Sequence, residues 1–159
     1  MADALELYEK SRDAFATCGD RAEEARILSE IASTHLAAGD TTAARRYFLL
    51  AVEAHTDVAS VRGAGLALVG LAAAEAVDGR PERAATIAAA AEVFAQDEGI
   101  VVVYSEDTPG RELVDRARAA LSVEDLAAAT EAGRRLTIVE ALELARGGTE
   151  LIGVADPGR

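Results

Sequence analysis

Residues 31–51, IASTHLAAGDTTAARRYFLLA, read as a helix, a stop and a second helix. Gly39 is the stop, because glycine takes the left-handed conformation that ends a helix without a Cβ clash. Asp40 follows as the N-cap, its carboxylate placed to accept from the free N–H groups that open the next helix. So short a connection forces the two helices to fold back as an antiparallel hairpin. The stretch therefore predicts an all-α chain built on helical hairpins.

The same unit recurs forty residues on, where Gly39 maps onto Gly79. At that offset Leu28 meets Leu68, Ile31 meets Leu71, Ala32 meets Ala72, Ala44 meets Ala84 and Ala51 meets Ala91. Backward, Ala44, Tyr47 and Phe48 meet Ala4, Leu7 and Tyr8. Alanine matches are cheap in an alanine-rich chain, but matches of glycine and of large apolar residues are not. A fixed period of about 20–50 residues over a helix–turn–helix unit marks a stacked repeat.

The pattern Leu28-x-x-Ile31-Ala32-x-x-His35-x-x-x-Gly39-x-Thr41-x-x-Ala44-x-x-x-Phe48-x-x-Ala51 resembles a tetratricopeptide repeat (TPR). The departures are His35 and Glu75 at the family's tyrosine position, Ala88 at its phenylalanine, and a period longer than the usual ~34 residues. The extra residues would lengthen both helices. Longer repeats of this kind resemble the C-terminal ends of large bacterial regulators, the LuxR-type (MalT-like) family and related ATPase or cyclase fusions. The run Gly133-x-x-Leu136-Thr137-x-x-Glu140-Ala141 is similar to the closing segment of those regulators. The resemblance implies a right-handed α-α superhelix of TPR-like hairpins with a C-terminal helical cap. It also implies a non-catalytic protein–protein interaction scaffold in transcription regulation or signalling, working in the cytoplasm.

The 159 residues suit one domain with a real core. Half are apolar but only 4% are aromatic, so that core has close helix packing and little side-chain volume. A net charge of −12 repels phosphate backbones and anionic lipid, arguing against nucleic-acid or membrane binding. Cys18 is alone and can form no internal disulfide, which fits a reducing compartment. No stretch approaches the ~20 apolar residues of a membrane span, and the acidic N-terminus does not read as a signal peptide.

Taken in order, helices are predicted over 2–17, 21–38, 41–55, 58–77 and 81–96, with Thr56-Asp57 capping the fourth and Pro81 at the first position of the fifth. Gly99 to Tyr104 is a β-like run with no partner strand and reads as an extended connection packed on helices. Helices follow over 110–121, 123–133 and 137–146, with caps at Ser122 and Thr137. This gives a single domain over 1–147 (repeats 1–96, connection 97–109, capping helices 110–147) and a flexible tail over 148–159. Helix 2–17 lacks a preceding partner in the repeat, so its edge would be bare. The expectation is a fragment of a larger regulator, whose upstream domains cover that edge, or a homodimer through it.

No phosphate-binding glycine loop occurs. Gly63 and Gly65 lack the rest of a dinucleotide motif and read as helix-packing residues. His35, His55 and Cys18 are too few for a structural zinc site. Adjacent acids such as Glu23 and Glu24 read as solvated charge. No catalytic, cofactor or metal residue is assigned, and an enzyme is not expected. The resemblance places an interaction groove on the inner helices, lined by Arg26, Ser29, Ser33 and Leu36 of the second helix and Leu66, Val69, Ala73 and Val77 of the fourth. The family's lysine and asparagine carboxylate clamp is missing there. The groove either binds a small apolar effector or peptide, making this a ligand-sensing domain, or is covered by segment 97–121 folding back.

Overall fold

The computed structural model describes residues 2–97 and 110–147. Eight helices lie in these residues: α1 (Ala2–Cys18), α2 (Arg21–Ala37), α3 (Thr41–Asp57), α4 (Val61–Val77), α5 (Pro81–Asp97), α6 (Arg111–Ala119), α7 (Val123–Arg134) and α8 (Ile138–Arg146). There is no strand among the described residues. The β-like run at 99–104, most of the connection 97–109 and the tail 148–159 fall outside them.

Helices α1 to α5 each have 17 residues, and α2 to α5 begin every twentieth residue. Each packs against the next. Their turns are copies of one another. Residues 19, 39, 59 and 79 all have positive φ. The N–H groups of Asp20, Asp40, Ser60 and Arg80 reach back to the carbonyls of Phe15, His35, His55 and Glu75 at 2.8–3.0 Å. This is the Schellman closure, which satisfies the last carbonyls of one helix while turning the chain into the next. Asp20 and Asp40 then accept from the N–H groups of Glu23 and Ala43.

The third turn of the set departs in chemistry but not in shape. Ala59 takes the left-handed position, at φ 54°, where the other three turns have glycine. With no glycine to mark it, the sequence pattern put the turn too early. Helix α3 runs on through Thr56 and Asp57, and α4 begins at Val61 with Ser60 as N-cap. Thr56-Asp57 is therefore the end of α3 and not the cap of α4. Hydrogen-bonding the Thr56 hydroxyl to the Val52 carbonyl keeps it in the helix.

The core centres on α4. Flanked by α3 and α5 and touched by α2, α6 and α8, it buries eleven of its 17 residues. Most of them are alanine or glycine, so the helices approach closely. The C-terminal end is covered by α7 and α8, both lying on α5. Gly133 of α7 sits so near the Thr86 carbonyl that a Cβ there would lie 2.1 Å from that oxygen. Thr137 and Glu140 form a complete capping box at the start of α8. No helix among the described residues is long and apolar enough to cross a membrane.

Ala59 carries a left-handed penalty of about 1 kcal/mol that glycine does not. Ala59→Gly should stabilise the chain by about 0.5–1 kcal/mol, read as a rise in the denaturation midpoint with unchanged slope. No gain, or a loss, would mean that the turn has another geometry.

Candidate functional site

Position 75 holds the strongest electrostatic feature. Glu75 is 0% exposed, in the last third of α4. A buried carboxylate survives only if paired and hydrogen-bonded. Arg45 of α3 reaches its Oε1 at 3.0 Å, and Arg80, before α5, reaches its Oε2 at 2.6 Å. Arg83 of α5 stands 3.2 Å from Oε2. Arg45 and Arg80 also share Asp78, while Arg83 donates to the Leu144 carbonyl of α8. Burial opposes ionisation of Asp78. It is outweighed by hydrogen bonds from Thr41 and Arg45 and by the charges of Arg45 and Arg80, so Asp78 titrates below the ordinary carboxylate range. The cluster ties α3, α4, α5 and α8 together. It presents no nucleophile or open cleft, and its geometry is that of a fastener.

His55 occupies the matching position of α3. It is buried, and its ring lies against Gly63, where a Cβ would come within 2.3 Å of Nδ1. Its Nε2 is 3.2 Å from Ser29 Oγ. Ser29 Oγ also lies 3.3 Å from the Ala25 carbonyl, to which it can donate. Nδ1 is buried with no hydrogen-bond partner. A serine–histidine pair without an acid behind the ring lacks the third member of a catalytic triad. Burial holds His55 below its ordinary pKa.

The groove residues separate into three groups. Leu36, Val69 and Ala73 are buried and meet at one place. Gly110, at the start of α6, closes it: a Cβ on Gly110 would be 2.6 Å from Ala73 Cβ and 3.8 Å from Leu36. Ser29, Ser33 and Leu66 are half-buried. Arg26 is exposed and bonded to Glu23, and Val77 is 44% exposed. Of segment 97–121, α6 lies on α4 and α5 and Gly110 on Ala73, while residues 98–109 lie outside the described ones.

The edge of α1 is the remaining feature. Leu5, Tyr8 and Phe15 pack toward the core, and Glu9 accepts from the Tyr47 hydroxyl at 3.3 Å. Tyr47 in turn stacks on His35, ring centroids 5.5 Å apart and planes within 7°. On another face Ala4 and Ala14 are exposed, Ser11 is half-buried and Leu7 is 64% exposed. No group of three or more metal-ligating side chains comes together among the described residues. Comparison with known proteins yields no matching family, no matching curated relative and no matching solved structure.

Two predictions follow from the buried polar groups. Glu75→Ala removes the buried carboxylate on which Arg45, Arg80 and Arg83 converge, while Asp78 and the Leu144 carbonyl still hold the partly exposed arginines; it should cost about 1–3 kcal/mol, read by chemical denaturation, and a cost near zero would show that the cluster contributes nothing to the fold. For His55 the folded pKa lies below the unfolded value of ~6.5, so the unfolded chain takes up the proton first. The stability this supports is complete above ~6.5 and falls as pH drops below it. Lowering the pH from about 7 to about 5.5 should destabilise the wild type more than His55→Gln; equal losses would show a solvated ring.

Proposed function

We propose that this chain is a non-catalytic protein–protein interaction scaffold, a TPR-like superhelical array serving a larger cytosolic regulator of the LuxR type. Its repeat is the support for that reading. Five equal helices joined by one turn geometry build an extended stack, and a stack presents faces where a pocket enzyme presents a cleft.

The observation that carries the proposal is the outer face of α1. By the forty-residue offset Ala4, Leu7, Ser11 and Ala14 match Ala44, Tyr47, Ala51 and Ala54 of α3. Those four are buried, on the side of α3 that α2 covers, where Tyr47 stacks on His35. On α1 the same positions are open or half-open. The face is shaped for an antiparallel helix with small and apolar contacts, as α2 provides to α3.

A second copy can supply that helix. A two-fold axis across the face lays two α1 helices antiparallel. One helix pair falls well short of the roughly 800 Å² per partner of a standard interface, so pairing of the isolated chain is weak and gains strength within the larger assembly. The ligand-sensing alternative is less well supported, because Gly110 fills the most apolar part of the groove.

Sedimentation equilibrium from micromolar to sub-millimolar concentration tests the face. The wild type should show weak, concentration-dependent dimerisation. Leu7→Glu should abolish it with folding stability changed by less than ~0.5 kcal/mol, as for an exposed site. A strictly monomeric wild type across that range removes this face as the docking surface.

A further inference from the structure

We propose that the α3–α4 turn is a proton-operated joint: charging the His55 ring frees residues 58–64, while the other ends of the two helices stay fastened. The joint lies within the fold and is independent of what docks on the α1 face.

Three helices meet at the ring. His55 belongs to the last turn of α3, lies against Gly63 in the first turn of α4 and has Nε2 3.2 Å from Ser29 Oγ of α2. A hydroxyl both donates and accepts, so Ser29 satisfies that nitrogen in either neutral tautomer. The imidazolium carries a proton on both nitrogens. Nδ1 is buried without a partner, and a Cβ on Gly63 would stand 2.3 Å from it. A charged N–H there has no acceptor and no room for a water on the Gly63 side. The charged ring is satisfied only by leaving the site for solvent.

No carboxylate bonds to the ring to offset that charge. Around Ser29 on α2 the charged groups are Glu24, held by Arg21, Arg26, held by Glu23, and the exposed Glu30. On α3 Glu53 pairs with Arg146, and Asp57 stands 3.7 Å from Arg21. On α4 the charged neighbour of Gly63 is the exposed Arg62. Burial is what lowers the ring's affinity for a proton. The C-terminus of α3 favours a cation here and the N-terminus of α4 opposes it, so the two dipole ends offset each other.

The turn beside the ring is weakly secured. Ala59 holds the left-handed conformation without being glycine. Ser60 makes no side-chain cap, whereas Asp20 and Asp40 do, and the first turn of α4 carries no acid. Gly63 and Gly65 weaken that end of the helix further. Segments so held open at lower free energy than the core beside them. The other end of the α3–α4 pair is different. About 18 Å further along α4, at 1.5 Å per residue, Glu75 is bound by Arg45 of α3 and by Arg80. Opening therefore pivots on that cluster and stays at the His55 end.

Amide hydrogen exchange on the full chain, in low urea at pH about 7.5 and about 5.5, either side of an ordinary histidine pKa, tests the joint. Rates are compared as protection factors, which removes the intrinsic pH dependence of exchange. The amides to follow are those of Ala59, Ser60 and Ala64, which bond to the carbonyls of Thr56, His55 and Ser60. In the wild type they should exchange through an opening with little urea dependence, unlike those of Leu68 and Leu71, which open with the whole chain. Their protection should fall several-fold between the two pH values. The limit is about tenfold, for one proton taken up by an open form of pKa ~6.5. His55→Gln still offers Ser29 a partner and should show less than about a twofold fall, since nothing at the site then titrates. Ala59, Ser60 and Ala64 sharing the urea dependence of Leu68 and Leu71 overturns the joint, as does an equal pH effect in the two proteins. Should His55→Gln not fold, NMR titration of the wild type decides. The His55 ring signal and the amide signals of Ala59, Ser60 and Ala64 should move with one midpoint; a ring that titrates while those amides stay still overturns the proposal.

Discussion

The buried carboxylate of Glu75 is the constraint on which the rest of the stack depends. Alanine-rich helices pack closely but carry small knobs, so sliding one past another by a turn changes the steric fit little. A charge taken out of water is far less tolerant. Glu75 must meet Arg45 from α3, Arg80 from the α4–α5 turn and Arg83 from α5 together. That requirement fixes the axial position of three helices at once. Arg83 then reaches the Leu144 carbonyl and draws in α8. A buried carboxylate held by partly exposed arginines adds little net stability over apolar residues of the same volume. Its contribution here is register: the wrong alignment of α3, α4 and α5 leaves a bare charge in the core.

The parts of this arrangement legible in the sequence are those with local chemistry. Gly39-Asp40 and Gly79-Arg80-Pro81 announce a stop and a start in adjacent residues, and Ser122 and Thr137 announce starts, so these helix ends fall within a residue or two of expectation. The α3–α4 turn was not legible, because Ala59 holds a glycine's conformation and carries no glycine signal. With that turn hidden, the twenty-residue beat of single helices was hidden too, and only its double was visible. Tertiary chemistry was less readable still. The sequence shows Glu75 at a position that holds histidine forty residues earlier, and nothing local distinguishes a solvated acid from a dry one. Its three arginines come from sequence separations of 30, 5 and 8. His55 looked unremarkable for the same reason: its burial depends on Gly63 across a turn. Of the groove residues, Leu36, Val69 and Ala73 come together, whereas Arg26 and Val77 stay near water, because the face tracks toward solvent at each end of the helices.

Positions 15, 35, 55 and 75 show how one backbone site was put to four uses. Each carbonyl receives the same Schellman bond, so each side chain emerges from the same place, one turn before its helix ends. Phe15 packs on the core. His35 stacks on Tyr47, with Nδ1 3.5 Å from Asp40. His55 sits against glycine, and Glu75 gathers arginines. The series runs from the loosely held end of the stack to its most tightly fastened part. Burial follows the same direction, since α1 packs mainly on α2 and α4 has several neighbouring helices.

That gradient leaves the two faces in different states. Among the described residues no helix lies on the Leu7 side of α1, whose positions there are open or half-open. The face of α4 that carries Val69 and Ala73 is closed by Gly110 and α6, so Leu36, Val69 and Ala73 belong to the core. The Glu75 cluster stands at the deeply packed part of the helix series and joins α3, α4, α5 and α8. Register is therefore fixed by charge where burial is deepest, whereas α1 is held by the apolar contacts of Leu5, Tyr8 and Phe15 and by the Tyr47–Glu9 hydrogen bond.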